Sequence, residues 1–268
     1  MEKQKKLVFK SAFPKYAKDK YDSFFLLKFF DTEEHRDYFL SGKLYMRQLT
    51  EFALQELGRG RSDYAEGAGL IVMPYNKEKY VDFKTISENG NLYIEVTEYS
   101  EPPEGYLGNP IVIHYSAENQ RKNIFSMYTL WYNREKGCVC PIDVDEMDQF
   151  GEYGIIIPDW SKFLGRVARA MDKDESILKA VCGFIEYYGE EQQQNIMLGD
   201  AFLKNKDEFS YQNEFRICAD TDNMSLLELD THLNFEDIAI PIRLSQFAET
   251  VRCKERQVQF IREKIKEK

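Results

Sequence analysis

The sequence predicts a single domain of the α+β class in which strands outnumber helices, and three observations carry that reading. Residues 23–49 read as strand, short helix and strand in under thirty residues. The middle of the chain supplies a series of further strand candidates at 92–98, 111–115, 124–132 and 154–157. The clearest helical stripe, Trp160, Phe163, Leu164, Val167, Ala168 and Met171, falls between that middle region and the later strands.

Taken in order, residues 1–22 are rich in Lys and Tyr, contain Pro14, and read as an arm laid over the domain. Residues 23–30 form a short apolar run interrupted only by Lys28, which suits a buried strand. Asp31 or Thr32 caps the next helix, with Glu33 and Glu34 favourable in its first turn and Gly42 as its stop. Residues 43–49 return as a strand, and 52–57 have room for one or two helical turns. The glycine-rich polar loop at 58–67 carries two arginines and two carboxylates, which either serve a site or pair with each other in solvent.

Asn89-Gly90 is a hairpin signal ahead of the alternating run 92–98. Pro102-Pro103 and Asn109-Pro110 punctuate the loop that follows. Asp159 caps the helix at 160–171, residues 180–188 fit either helix or strand, and 190–203 have a helical reading. Residues 238–242 form a last strand. From Ser245 a terminal helix places Phe247, Val251, Val258, Ile261 and Ile265 on one face. With no repeat and no linker, the expectation is one domain over 1–268, with an arm at 1–22 and a C-terminal helix at 245–268.

Composition narrows the function classes. No apolar run approaches the roughly 20 residues that span a bilayer, and the basic start has no apolar signal core behind it, so a cytoplasmic protein without membrane attachment is expected. Five cysteines, an odd number without a Cys-x-x-Cys pair, fit reduced thiols rather than a disulfide framework. His35, His114 and His232 are far apart and share no ligand spacing with the cysteines, so no zinc site is read. A net charge of −10 argues against broad sequence-independent binding to nucleic acid but leaves room for a local basic pocket.

The stretch with the most chemistry in it is Phe209-Ser210-Tyr211-Gln212-Asn213-Glu214-Phe215-Arg216-Ile217. As a strand it sends Phe215, Ile217 and Ala219 to the core and Glu214, Arg216 and Cys218 to the other face, with Gln212 pointing the same way as Glu214. A carboxylate on rigid backbone stabilises positive charge developing at a sugar carbon without reorganising, which makes Glu214 a candidate catalytic group. The competing reading is a surface strand on which Glu214 and Arg216 form a solvated ion pair of little consequence.

The segments Leu27-Lys28-Phe29, Ser41-Gly42-Lys43-Leu44-Tyr45-Met46, Arg61-Ser62-Asp63-Tyr64-Ala65-Glu66-Gly67 and Phe209 through Arg216 resemble a bacterial family of unknown function that accompanies phage-defence genes. More distantly, the layout is similar to the ADP-ribosyltransferase fold. That resemblance implies a split β-sheet core with flanking helices and NAD as co-substrate. It places Gln212-x-Glu214 on the late catalytic motif, Ser126 on the middle serine with Tyr128 as a second choice, and Lys28 on the early strand where relatives carry His or Arg. Lysine there is a point charge instead of a fork or an imidazole, and Arg47 is an alternative phosphate contact. By position alone, Asp63, Tyr64 and Glu66 belong to a loop over the nicotinamide end.

The implied function is an NAD-dependent ADP-ribosyltransferase-like toxin or phage-defence effector modifying a nucleic acid or a protein. Water as acceptor would make it an NAD hydrolase instead. An antitoxin or chaperone protein is an implied partner. Two other classes stay open: a non-catalytic antitoxin or sensor module docking through the terminal stripe, and a metal-dependent nuclease using Asp63, Glu66 and Glu214.

Overall fold

The computed structural model describes residues 7–10, 14, 17, 21, 23–53, 68–72, 75–76, 79–88, 91–105, 112–115, 121–133, 135–188, 201–222, 226–254 and 257–260. Ten strands make its main sheet: β1 (Leu7–Phe9), β2 (Ser23–Phe30), β3 (Lys43–Gln48), β4 (Lys122–Asn133), β5 (Cys138–Val139), β6 (Tyr153–Ile157), β7 (Ile177–Phe184), β8 (Glu214–Thr221), β9 (Leu227–Asp230) and β10 (Ile240–Arg243). The strand order is β1-β7-β8-β4-β2-β6-β10, with β3 and β5 also paired to β4 and β9 paired to β3. Only β1 on β7 is parallel; the other ladders are antiparallel. The protein is therefore α+β, as its sequence pattern predicts.

Among the described residues, two helices of two or more turns flank this sheet. Helix α1 (Glu33–Leu40) begins at Thr32, whose Oγ1 accepts from the His35 amide at 3.2 Å, and has Glu33 and Glu34 in its positive first turn. Helix α2 (Trp160–Lys173) begins at Asp159, which accepts from the Lys162 amide at 2.9 Å, and buries Phe163, Leu164, Val167, Ala170 and Met171. Arg166 on α2 is also buried, and its fork grips Asp237 at 2.7 and 2.6 Å.

Both helices pack on one face of the sheet, where Phe24, Trp131, Phe184, Phe215 and Phe39 form the largest core cluster. A second cluster on the opposite face joins Leu27, Tyr128, Leu130 and Ile156 to Phe247 and Val251. A third, smaller one holds Leu49, Ile124, Ile185, Ala201, Phe202 and Cys218.

Apart from the main sheet, Ala68–Val72 pairs with Val112–Tyr115. Tyr75–Asn76, Lys79–Glu88 and Asn91–Tyr99 form a three-stranded meander. Glu88 lies opposite Asn91 there, while Asn89-Gly90 itself is outside the described residues. The ambiguous run at 180–188 resolves as strand, in β7 and in Glu186–Tyr188, which pairs in parallel with Leu203–Asn205.

Three expectations change. Among the described residues of 245–260 the expected terminal helix is not formed. Short turns Leu244–Gln246 and Phe247–Thr250 lead into a hairpin, Val251–Lys254 with Gln257–Phe260, and 261–268 lie outside the described residues. The hairpin register sets Val251 opposite Phe260 and Cys253 opposite Val258, which lets Val251, Val258 and Phe260 all reach the second cluster, whereas a helix would turn Phe260 away from Val251. The helical docking stripe proposed for a non-catalytic module disappears with it.

Of the arm expected at 1–22, the described Leu7–Phe9 extends the sheet along β7 and Ala17 is wholly buried. Gln212 is not on the strand: it ends a 3-10 turn, and Asn213 follows in the left-handed region at φ 41° before β8 starts.

Candidate functional site

β4 organises the site. One of its edges pairs with β8 from Lys122 to Tyr128. Its other edge meets β3 at Asn123 and Ile124 and β2 from Tyr128 onward, and between them residues 125–127 pair with neither strand. Lys28 enters this gap. Its Nζ donates to the Ser126 carbonyl at 2.7 Å and lies 4.8 Å from the centre of the Phe125 ring.

A cleft of about 610 Å³ opens around the gap, and residues from both faces of β4 line it: Phe125 and Met127 from one, Ser126 and Tyr128 from the other. Its volume is in the range typical of small-molecule sites.

Alternation along β8 places Glu214 and Arg216 on the cleft side, opposite Tyr128 and Ser126 in register. Both are buried, Glu214 to 4% exposure and Arg216 to 1%, so the solvated surface pair is excluded. The Arg216 fork donates from Nε to Glu214 Oε1 at 2.5 Å and from Nη2 to Oε2 at 3.2 Å. Lys204 Nζ stands 3.0 Å from Oε2, and the Ser126 side chain adds a further hydrogen bond. A carboxylate offers about four acceptor positions, and here four donors face it.

The protonation of Glu214 follows from opposed causes. Burial pushes its carboxyl upward, but Arg216 and Lys204, with hydrogen bonds from Arg216 and Ser126, outweigh burial and hold it down at about 2. It is a permanent anion at neutral pH, suited to fixed electrostatic work and unsuited to a general base, which functions best with a pKa near the working pH. Tyr128 goes the other way. Burial raises its phenol to about 12 despite a 3.1 Å bond from the Asn213 amide, so it stays a neutral hydroxyl.

Six predicted site residues, Lys28, Arg47, Ser126, Tyr128, Gln212 and Glu214, line the same cleft although up to 186 positions separate them in sequence, from 28 to 214. Asp63, Tyr64 and Glu66 lie outside the described residues. Gln212 reaches the site by a different route from the expected strand. Its Oε1 accepts from Lys204 Nζ at 3.0 Å, and its amide donates to the Tyr211 hydroxyl at 3.2 Å. Arg47 stands at the exposed rim, on the same face of β3 as Lys43 and Tyr45.

Lys204 is the residue sequence reading missed. It sits in a stretch of alternating charge that reads as a solvated loop, and what buries it is the parallel pairing of Leu203–Asn205 with Glu186–Tyr188. Only the ten-residue spacing to Glu214 was visible beforehand, and that carries no signal. Arg216 was visible as a same-face neighbour of Glu214, but its burial was not.

Five cations line the cleft, Lys28, Lys43, Arg47, Lys204 and Arg216, against three carboxylates, Asp31, Glu214 and Glu228. This excess runs counter to the net −10 of the whole chain and favours an anionic ligand. Among the described residues no three His, Cys, Asp or Glu side chains are grouped to hold a metal ion, and no helix is long and apolar enough to cross a membrane. No family model, curated protein or solved structure matches the chain.

Proposed function

We propose that the chain is an NAD-dependent ADP-ribosyltransferase-like enzyme whose reaction takes place in the β4 cleft, on a split-sheet core of that class. The observation that supports this reading most is that Lys28, Ser126 and Glu214, from three distant segments, line one cleft, with Ser126 bonded to Lys28 through its carbonyl and to Glu214 through its side chain. The cleft suits a ligand that is anionic at one end and sugar-like at the other. Lys28 and Arg47 supply positive charge for phosphate. Glu214 supplies a fixed negative charge for the ribose carbon from which nicotinamide departs.

In this mechanism Glu214 takes no proton. It accepts a hydrogen bond from a ribose hydroxyl and opposes the positive charge that grows as the glycosidic bond breaks. One present donor must give way for that contact, and the Ser126 hydroxyl is the cheapest because it only rotates. Gln212 keeps Lys204 turned toward Glu214. Tyr128, as a neutral phenol, offers a donor beside the same carboxylate. The acceptor, a protein or nucleic-acid group or water, bonds to the ribose carbon that nicotinamide leaves and gives up its proton to solvent.

The test is release of nicotinamide from NAD by the purified protein, with transfer of labelled ADP-ribose read separately on protein and nucleic-acid fractions. Glu214→Gln retains an oxygen to accept from Arg216 and removes the charge. That variant is expected to remain folded and to lose release, and undiminished release would refute the assignment.

A further inference from the structure

We propose that Arg216 is the positioning residue of the cleft: one guanidinium fixes the Glu214 carboxylate and, through Ala201, the segment that carries Lys204. The functional sense of the proposal rests on the transferase reading above, whereas its structural content does not. Nε and Nη2 take the two oxygens of Glu214, and Nη1 donates to the Ala201 carbonyl at 2.6 Å. Ala201 begins a short path to Lys204, whose Nζ returns to Glu214 Oε2 at 3.0 Å. The contacts close a ring from Arg216 to Ala201, along the chain to Lys204, across to Glu214 and back.

The surroundings hold this ring rigid. Ala201 and Phe202 are buried with Ile185 and Cys218. The Glu186 amide donates to the Phe202 carbonyl at 2.8 Å, and the Ile185 amide to the Glu214 carbonyl at 2.9 Å. The Glu214 amide in turn donates to the Tyr187 hydroxyl at 2.9 Å. Lysine cannot reproduce the arrangement, because a single ammonium has no planar fork to span both oxygens and a carbonyl behind them.

A purely structural role is a poor account of the charge, since buried ion pairs seldom exceed apolar packing in stability. The groups around Glu214 are Arg216 on its own strand, Lys204 and Tyr187 from the small parallel ribbon, and Ser126 and Tyr128 from β4, with Lys28 elsewhere in the lining of the same cleft. Arg216 stands first among those that favour its ionised form.

The experiment follows the Glu214 carboxyl by carbon-13 NMR across pH, assigned with Glu214→Gln, alongside nicotinamide release against pH, in the native chain and in Arg216→Lys and Arg216→Met. Native Glu214 is expected to titrate near 2. In Arg216→Lys its midpoint should rise. The kcat for release should fall about 100-fold from misplacement of the carboxylate, while KM for NAD changes by less than about twofold. An acid limb absent from the native profile should appear.

An unmoved midpoint in Arg216→Lys, or a loss of activity equal at every pH, would overturn the proposal. So would a native midpoint at the ordinary value of about 4.3, a result that needs no variant to fold. If the native chain releases no nicotinamide, the transferase reading fails, and the carbon-13 titration alone decides whether Arg216 holds Glu214.

Discussion

The two faces of β8 are equally dry and built on opposite physics. Phe215, Ile217 and Ala219 look into a cluster where Phe215 meets Phe184 edge-on at 5.3 Å and Phe24 at 6.3 Å. Burial there is favourable in itself, at roughly 25 cal/mol per Å² of apolar surface. Glu214 and Arg216, alternating with those residues on the same strand, are buried just as fully and gain nothing from leaving water. Desolvation costs several kcal/mol per ion, and mutual attraction only offsets it when every donor is met. One face makes the fold stable; the other is tolerated because the first is strong, and it holds a carboxylate ionised and immobile at a cleft.

Substitutions on the two faces sharpen or break this contrast. The largest loss of stability is expected from Phe215→Ala, about 3–5 kcal/mol by chemical denaturation. On the charged face, Glu214→Gln should lower nicotinamide release about 100- to 1000-fold, with a loss of stability approaching that of Phe215→Ala, because Arg216 and Lys204 are left buried without a counter-charge.

Replacing Lys204, Glu214 and Arg216 together by Met, Leu and Met should abolish release yet leave stability unchanged or higher by about 1–4 kcal/mol. A strong destabilisation by that triple change would show that the cluster holds the fold together after all. Away from the cleft, Asp159→Ala removes the α2 cap and should cost about 1 kcal/mol without touching release.

Acid should have the least effect. Because the folded Glu214 carboxyl lies at about 2, its ionised form is complete above the ordinary carboxyl value and is lost only as pH falls toward 2. Nicotinamide release measured from pH 8 down to about 4.5 should show no limb belonging to this group.

Much of the β8 contrast is legible in the sequence, because a period of two assigns Phe215 and Glu214 to opposite faces whatever surrounds them. The caps at Thr32 and Asp159 were similarly local, each a side-chain oxygen reaching an amide three residues on. Failures came where tertiary pairing chose between equal local options. Val251 and Val258 satisfy a hairpin as well as a helix, but only the hairpin, which sets Phe260 opposite Val251, brings all three to the second cluster.

The Gln-x-Glu resemblance places Gln212 in the site and strand alternation gives its direction, but the left-handed Asn213 breaks that alternation, and the residue reaches the cleft through its bond to Lys204. Lys204 itself has no local signature at all. Its place depends on a partner strand at Glu186–Tyr188.

Gly42 carries a consequence for how this cleft can change. At φ +96° a Cβ there would stand 2.2 Å from the Leu233 carbonyl oxygen, and the Gly42 carbonyl accepts from both the amide and the hydroxyl of Thr231, at 2.9 and 2.8 Å. The corner that joins α1 to β3 is thus clamped by main chain, and no other amino acid fits it. Lys43, Tyr45 and Arg47 radiate from that immovable corner onto the rim, free to be exchanged without disturbing what lies beneath. Libraries randomised at those three positions should yield folded proteins with altered ligand preference, while randomising codon 42 should return glycine alone.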